Sequence, residues 1–323
     1  MRNSISLRQV CAHVSVAGIW VLGSGLASAQ KFPVKPVRIV TSALGSGSDF
    51  TARLVAQGLS GRLGQQVIVD NRGLIGLDMV AKSPPDGYTL LAYGSPLWLS
   101  PLLRDNAPWD VVRDFAPVTL TNSSPNLVII HPSIPAKSIR ELIALAKARP
   151  AELNYGSGSS GSSTHLAVEL FKSMAGVNIV RISYKGGGQA LSDLIVGAVH
   201  LLITSGSGVM PHIKSGRLRA LAIASAEPSA LAPGLPTVAA SGLPGYEAAS
   251  MTGVFAPAKT PVALVTLLNQ EIVRTLNTAE AKERLISVGN EAVGSSPEEL
   301  AAKIKSEVVR MSAVIKAAGI REE

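Results

Sequence analysis

Cysteine is all but missing from this chain: among 323 residues the one cysteine is Cys11. It precedes an apolar stretch, Val14–Leu26, and so is misplaced for a lipoprotein cleavage site. A chain cut after Ala29 carries no thiol, which excludes disulfides, cysteine nucleophiles and thiolate metal sites. Aromatic residues are also few, at 4%, which argues against base-stacking surfaces and sugar-stacking clefts. Charged residues make up 16% and no run of Lys or Arg occurs. A nucleic-acid binder gathers its charge into a stripe, so nucleic acid is not an expected partner. Long apolar runs are absent too. Val14–Leu26 contains Gly18, Gly23, Gly25, Ser15 and Ser24, and a membrane span needs ~20 strongly apolar residues.

The N-terminal segment instead has the parts of a secretory signal. Arg2 and Arg8 precede the apolar stretch, no acidic residue occurs before Asp49, and Ala27-Ser28-Ala29 is a small-x-small cleavage pattern. Residues 1–29 are therefore expected to be a signal peptide removed by the general secretory route, since no twin-Arg pair is present. Removing Arg2 and Arg8 leaves 28 basic against 22 acidic residues, a net 28 − 22 = +6. That mild general field attracts anionic solutes. The 46% apolar content excludes general disorder, and residues 30–323 suffice for two ordinary domains.

Short β-branched runs alternate with longer amphipathic segments, the α/β pattern. Strands are predicted at 37–41, 67–69, 88–93 and 127–130, with an Asp86-Gly87 turn before the third. Ser138-Ile139-Arg140-Glu141 reads as a capping box opening a helix to Ala148. Thr260-Pro261 reads as an N-cap and N1 proline before a helix over 262–276. Ser296-Pro297-Glu298-Glu299 combines both devices, and Leu300, Ile304, Val308, Met311 and Ile315 then form one apolar stripe.

Four predicted strands run straight into Gly/Ser loops that open helices. The first passes through Ala43, Leu44, Gly45, Ser46 and Ser48 to Asp49. The second spans 156–163, with Ser159, Ser162 and Ser163, and leads to Thr164 and His165. The third passes through Lys185 to Gly186 and Gly187, and the fourth through Thr204 to Ser205. In an open α/β sheet, ligands sit at the carboxyl ends of the strands. Glycine lets backbone N–H groups approach a ligand, and the following helix adds its positive end. Ser95 and Trp98, after the third predicted strand, are further candidates; Trp98 fits an apolar cleft wall or the core equally. Asp49 is read as a helix cap or a ligand contact, and His165 as a ligand contact or a structural histidine.

Catalytic motifs do not emerge. Gly156-Ser157-Gly158-Ser159-Ser160-Gly161 matches G-x-G-x-x-G, but the next strand ends in Ser183-Tyr184-Lys185 with no acid for a ribose. Walker A and G-x-S-x-G are absent. His131, His165, His200 and His212 have no metal-pair spacing. Neither a cofactor nor a metal is expected.

Several ordered segments resemble the Bug family, the extracytoplasmic receptors of tripartite tricarboxylate transporters. They are Lys35–Val40, Ser83-Pro84-Pro85-Asp86-Gly87-Tyr88-Thr89-Leu90-Leu91, Asp114-Phe115-Ala116-Pro117-Val118, Leu153-Asn154-Tyr155, Thr164-His165-Leu166-Ala167, Tyr184-Lys185-Gly186, Pro211–Ala222 and Gly242-Leu243-Pro244-Gly245-Tyr246-Glu247. The resemblance implies a two-lobed periplasmic-binding-protein (Venus flytrap) fold, each lobe a sheet flanked by helices. Lobe 1 is expected at 30–126 plus 258–323 and lobe 2 at 127–257, with crossover segments near 127–132 and 251–257. It further implies a monomeric, non-catalytic periplasmic receptor that delivers a small carboxylate to the membrane subunits of such a transporter.

Three departures bear on specificity. Thr41-Ser42-Ala43-Leu44-Gly45-Ser46 stands where the family has P-F-x-P-G-G, and Leu74-Ile75-Gly76 shortens the segment after Asn71-Arg72-Gly73. Thr204 replaces an acid that would hold an ammonium group, which argues against an amino-acid solute. Two other readings stay open: an exported hydrolase using a serine of the 156–163 loop, and a sensory receptor feeding a signalling partner.

Overall fold

The computed structural model describes residues 32–104, 106–158, 160–184, 186–206 and 208–321. The expected signal segment 1–29 and the candidates Ser159 and Lys185 lie outside the described residues. The chain opens with β1 (Val37–Thr41), α1 (Gly47–Leu63), β2 (Val67–Asn71), α2 (Ile75–Ala81), β3 (Thr89–Gly94), α3 (Pro96–Leu103), α4 (Val111–Asp114) and β4 (Phe115–Ser124). It continues through β5 (Asn126–Ile130), α5 (Ile139–Ala148), β6 (Asn154–Ser157), α6 (Ser163–Ala175), β7 (Val180–Ser183), α7 (Gly187–Val196), β8 (Leu201–Ser205), α8 (Met210–Lys214) and β9 (Arg219–Ile223). It ends with β10 (Ser250–Pro257), α9 (Val262–Leu276), α10 (Ala279–Ser287), β11 (Glu291–Ala292) and α11 (Pro297–Ala318).

These elements make two lobes, each a sheet flanked by helices. One sheet has the order β11-β4-β10-β3-β1-β2 and the other β7-β6-β8-β5-β9. In the first, β1 pairs in parallel with β2 and β3, while β10 runs antiparallel to β3 and β4. In the second, β6 is parallel to β7 and β8, while β5 is antiparallel to β8 and β9. The segments expected as crossovers, 127–132 and 251–257, fall largely on β5 and β10. The chain changes sheet at Pro125 and again between Ile223 and Ser250.

The helix starts follow local chemistry, with two corrections. Ser296 and Glu299 form the full capping box expected of α11. Ser138 accepts the Glu141 N–H at 3.2 Å, but Glu141 Oε2 reaches one residue further back, to the Lys137 N–H at 2.8 Å. Thr260 does not cap α9: its hydroxyl donates to the Pro257 carbonyl at 2.7 Å, and Pro261 occupies the cap position.

Among the elements that escaped the sequence pattern, two did so for identifiable reasons. β4 carries Thr119, Thr121 and Asn122 in its buried stretch, so its hydropathy is low. The threonine hydroxyls donate to the carbonyls of Ser295 at 2.8 Å and Thr252 at 2.7 Å, which satisfies them in the interior. α3 is apolar on every side and contains Pro101. A helical proline leaves the carbonyl four residues earlier without its donor. Here that carbonyl, Leu97, accepts the Trp109 indole N–H at 2.8 Å.

The core is not divided evenly between the lobes. One apolar cluster joins α3, α6 and α11 through Leu97, Leu103, Leu166, Phe171, Leu300 and Met311. Tyr246 reinforces it, its ring edge-on to Phe171 at 5.9 Å and its hydroxyl donating to the Ala167 carbonyl at 2.8 Å. α11 therefore packs against helices of both lobes. Separate clusters fill the outer faces, under α1 and α9 in one lobe and under α7 in the other. Among the described residues no helix is long and apolar enough to cross a membrane.

Candidate ligand-binding cleft

A cavity of about 870 Å³ lies between the lobes. It is bounded by the carboxyl ends of β1, β3, β4 and β8, by the starts of β5 and β10, and by the first turns of α1 and α6. The volume falls within the range of small-molecule sites.

The two loops that face each other across it are built alike. In the loop before α1, Ser46 caps the helix by accepting the Asp49 N–H at 3.1 Å. The Gly45 N–H donates back to Asp49 Oδ2 at 2.9 Å, with Gly45 at φ +79°. In the loop before α6, Ser162 accepts the His165 N–H at 3.3 Å, and the Gly161 N–H donates to His165 Nδ1 at 3.1 Å, with Gly161 at φ +75°. The third helical residue thus ties down a left-handed glycine just outside the cap in both lobes. Only glycine takes that conformation without cost. The N-cap hydroxyl satisfies the third N–H of each helix, and the first two remain directed out of the helix end.

Asp49 and His165 are accordingly fasteners behind the cleft, and neither lines it. Asp49 also accepts from Asn71 Nδ2 at 2.9 Å and pairs with Arg53 Nε at 3.0 Å. Burial alone would raise its carboxyl, but the bonds from Asn71, Gly45 and Arg53 outweigh burial and hold it below 3.8. His165 is driven down to about 4, first by burial and then by Arg181, so the ring is neutral and its Nδ1 is free to accept from Gly161.

Of the other candidates, Ala43, Ser46, Ser48, Ser95, Ser162, Ser163 and Ser205 line the cavity. Among the described residues the hydroxyls of Ser48, Ser95, Ser163 and Ser205 show no hydrogen bond, so they are available to a solute. Leu44 is 75% exposed and lies outside the lining. Gly45 serves the turn described above. Thr164 turns inward, its Oγ1 accepting the Gly158 N–H at 3.2 Å. Thr204 pairs opposite Leu127 and stops one residue short of the cleft. Gly186 and Gly187 start α7 behind β7, the edge strand of its sheet, and do not reach the cavity. Trp98 belongs to α3 and is 1% exposed; it is a core residue, because α3 turns it inward toward α11. Three of the four Gly/Ser loops thus converge and the third does not.

The lining residues not anticipated include Asn122, Asn126, Asn290 and Glu307. The Asn122 side-chain amide lies within hydrogen-bond distance of the Thr51 hydroxyl at 2.9 Å and the Thr121 hydroxyl at 3.0 Å, which fixes its orientation at the cleft. Glu307 sits on α11, and its Oε2 accepts the Trp98 indole N–H at 2.9 Å. Burial pushes its carboxyl up to about 7 against the opposing effect of the Trp98 bond. The signal for Glu307 was present: it falls on the apolar stripe between Ile304 and Met311, where an acid is out of place. Among the described lining residues there is no Lys, Arg or His. No described group of three or more His, Cys, Asp or Glu residues could hold a metal ion.

Two lobes closing on a cavity of neutral donors define a solute receptor of the periplasmic-binding-protein class. Residues 51–320 match the family model described as the tripartite tricarboxylate transporter family receptor, TctC. The chain belongs to this receptor family. It is 36% identical over 318 residues to protein BugT of Bordetella pertussis, covering 95% of this chain and 98% of that protein. Among solved structures it is similar to Rpa4515 of Rhodopseudomonas palustris with adipate, at 37% identity and TM-score 0.71, covering 90% of this chain and 99% of that one. It is also similar to MatC of the same organism with bound malate, at 28% identity and TM-score 0.68, covering 88% and 100%.

Proposed function

We propose that the protein is exported, loses residues 1–29, and works in the periplasm as a monomeric receptor that closes over a small dicarboxylate. It then presents the solute to the membrane subunits of a tripartite tricarboxylate transporter. The lobe division proposed is 32–124 with 250–321 for one lobe and 126–223 for the core of the other, following the sheets.

The observation that carries this reading is the pair of helix starts, α1 and α6, that flank one cleft from opposite lobes. Their N–H groups and the hydroxyls of Ser48 and Ser163 are donors suited to an anionic oxygen, and each helix dipole adds favourable potential. Hydrogen bonds to a charged acceptor contribute roughly 1.5–3 kcal/mol each. A micromolar complex needs about −8 kcal/mol net, so a handful of such bonds suffices without arginine once closure excludes water. The relatives bound to adipate and malate support a linear dicarboxylate over a sugar or a metal complex.

Isothermal titration of the mature chain against adipate, malate, neutral amino acids and sugars tests the proposal. Micromolar binding of a dicarboxylate, recovered chemically unchanged by mass spectrometry, is expected. Binding confined to amino acids or sugars, or recovery of a converted product, would overturn it. Processing after Ala29 is read from the N-terminus of the exported protein, with Gln30 as the expected first residue.

A further inference from the structure

An acid in the wall of an anion-binding cleft is out of place unless it is uncharged or its charge is used. We propose that Glu307 is a specificity-determining residue that faces the bound solute as a neutral carboxylic acid and donates a hydrogen bond from Oε1 to one of its carboxylate oxygens. This deepens the dicarboxylate reading above and rests on it.

The surroundings of Glu307 argue for the neutral form. The side chain lines the cavity while the residue is only 6% exposed. Its Oε2 is taken by the Trp98 indole N–H at 2.9 Å, so the acid proton belongs on Oε1. Two cations of its own helix pair with another acid: Lys303 Nζ lies 2.5 Å from Glu247 Oε1, and Arg310 Nη1 lies 3.8 Å from Glu247 Oε2, while Arg310 Nε is buried with no hydrogen-bond partner. The elements packed against α11 are the other sources of a charge that would hold Glu307 ionised. α3 carries no ionisable side chain. β4 offers Asn122 and Ser124 to the cavity, both uncharged. α6 presents Leu166 and Ala167, while its His165 is neutral and its Glu169 is paired with Lys172 at 2.6 Å. From β3, Tyr93 lines the cleft with its phenol pushed up to about 12 by burial. Burial pushes Glu307 itself up to about 7; Arg310 and Lys303 act against this and Glu247 acts with it.

A neutral acid at this point does two things. It supplies a donor where a carboxylate would repel, and it offers no charge to hold an ammonium group. An ionised Glu307 would do the reverse and select a cationic end. The two forms therefore predict opposite preferences for adipate and for 6-aminohexanoate, which has an ammonium group in place of one carboxylate.

The test is isothermal titration of the mature protein with both compounds from pH 6 to 8.5, where adipate is doubly ionised. Wild type is expected to bind adipate more tightly than 6-aminohexanoate at pH 6. Its adipate affinity should fall by about tenfold or more across the range as Glu307 loses its proton. Glu307→Ala should lower adipate affinity at pH 6 by about tenfold. Glu307→Gln, which keeps a donor and cannot ionise, should recover part of that loss and bind adipate with no pH dependence in this range. Tighter binding of 6-aminohexanoate than of adipate by wild type at pH 6, or a pH dependence unchanged in Glu307→Gln, would overturn the proposal. Trp98 fluorescence of the ligand-free protein supplies an independent reading, since its indole contacts the titrating group. A transition near pH 7 that vanishes in Glu307→Gln is expected, and a flat wild-type profile would overturn the neutral acid. If no dicarboxylate binds wild type while the fluorescence transition is present, the fault lies with the solute class and both proposals fall on that ground.

Discussion

Replacing Glu307 with Gln changes one oxygen for an amide nitrogen, and the structure predicts how stability should respond. The native carboxyl titrates at about 7 where an ordinary glutamate titrates at 4.5. At roughly 1.4 kcal/mol per pH unit of displacement, that corresponds to about 3 kcal/mol. The sign follows from proton counting. Between about pH 4.5 and 7 the folded state holds a proton that the unfolded chain has released. The group's contribution is therefore fully present below 4.5 and is lost as the pH rises through about 7. His165 acts in the opposite direction. Its ring is lowered from 6.5 to about 4, so its contribution is present above 6.5 and is lost as the pH falls through 4. Over much of the same range the two slopes oppose each other, and the wild-type profile alone will look nearly flat. The informative quantity is the difference between the two proteins, from urea unfolding at matched pH between 4 and 8.5. Glu307→Gln should match wild type at pH 4 and exceed it by about 3 kcal/mol above pH 7.5. A difference that stays constant across the range would refute the buried neutral acid.

Three further perturbations follow from the geometry. Ser48→Asp and Ser163→Asp each place a negative charge at the mouth of a helix start and should weaken adipate binding at least tenfold, ~1.4 kcal/mol; unchanged affinity in both would mean that these loops do not face the solute. Asp49→Asn removes the Arg53 ion pair and one of the acceptors that hold the first loop, at a cost of about 1–2 kcal/mol at pH 7. Because the Asp49 carboxyl is held below 3.8, its contribution is present above that pH and is lost as the pH falls through the lower native value. The penalty of Asp49→Asn should therefore shrink as the pH is taken below 3.8, and hydrogen exchange of residues 43–48 should rise at neutral pH. Gly58→Ala introduces a methyl that would overlap the Thr275 side chain where α1 meets α9. It should cost about 1–3 kcal/mol in chemical denaturation, with part recovered in combination with Thr275→Ala.

The helix starts show how far a local reading goes. A serine three residues ahead of a backbone N–H caps a helix by contacts within one turn, so Ser138 and Ser296 were legible from spacing. Ser46 and Ser162 were not singled out, and Asp49, read as a possible cap, is the residue whose N–H Ser46 accepts. Whether the return bond reaches the cap residue or the one before it was not legible, because the choice depends on the loop's path. Gly45, Lys137 and Gly161 all take that bond in place of the cap residue. Thr260 failed as a cap because its hydroxyl had a closer acceptor in the Pro257 carbonyl.

Trp98 and Glu307 show where local reading stops. The sequence around Trp98 is apolar on every side, so nothing in it selects the face that α3 buries. Glu307 interrupts an apolar stripe, yet its neighbour across the interface is 209 positions away. Many of the strand and helix elements, the thiol-free composition, the secretory pattern at the N-terminus and the donor-rich loops are properties of short segments, and the sequence by itself determined them. Which loops meet is a different matter. The chain changes sheet twice, and those two passages bring residues 42–48 and 160–163 to one cleft while leaving 186–188 behind an edge strand. Convergence of distant segments is a property of the closed core, and only the tertiary structure decided it.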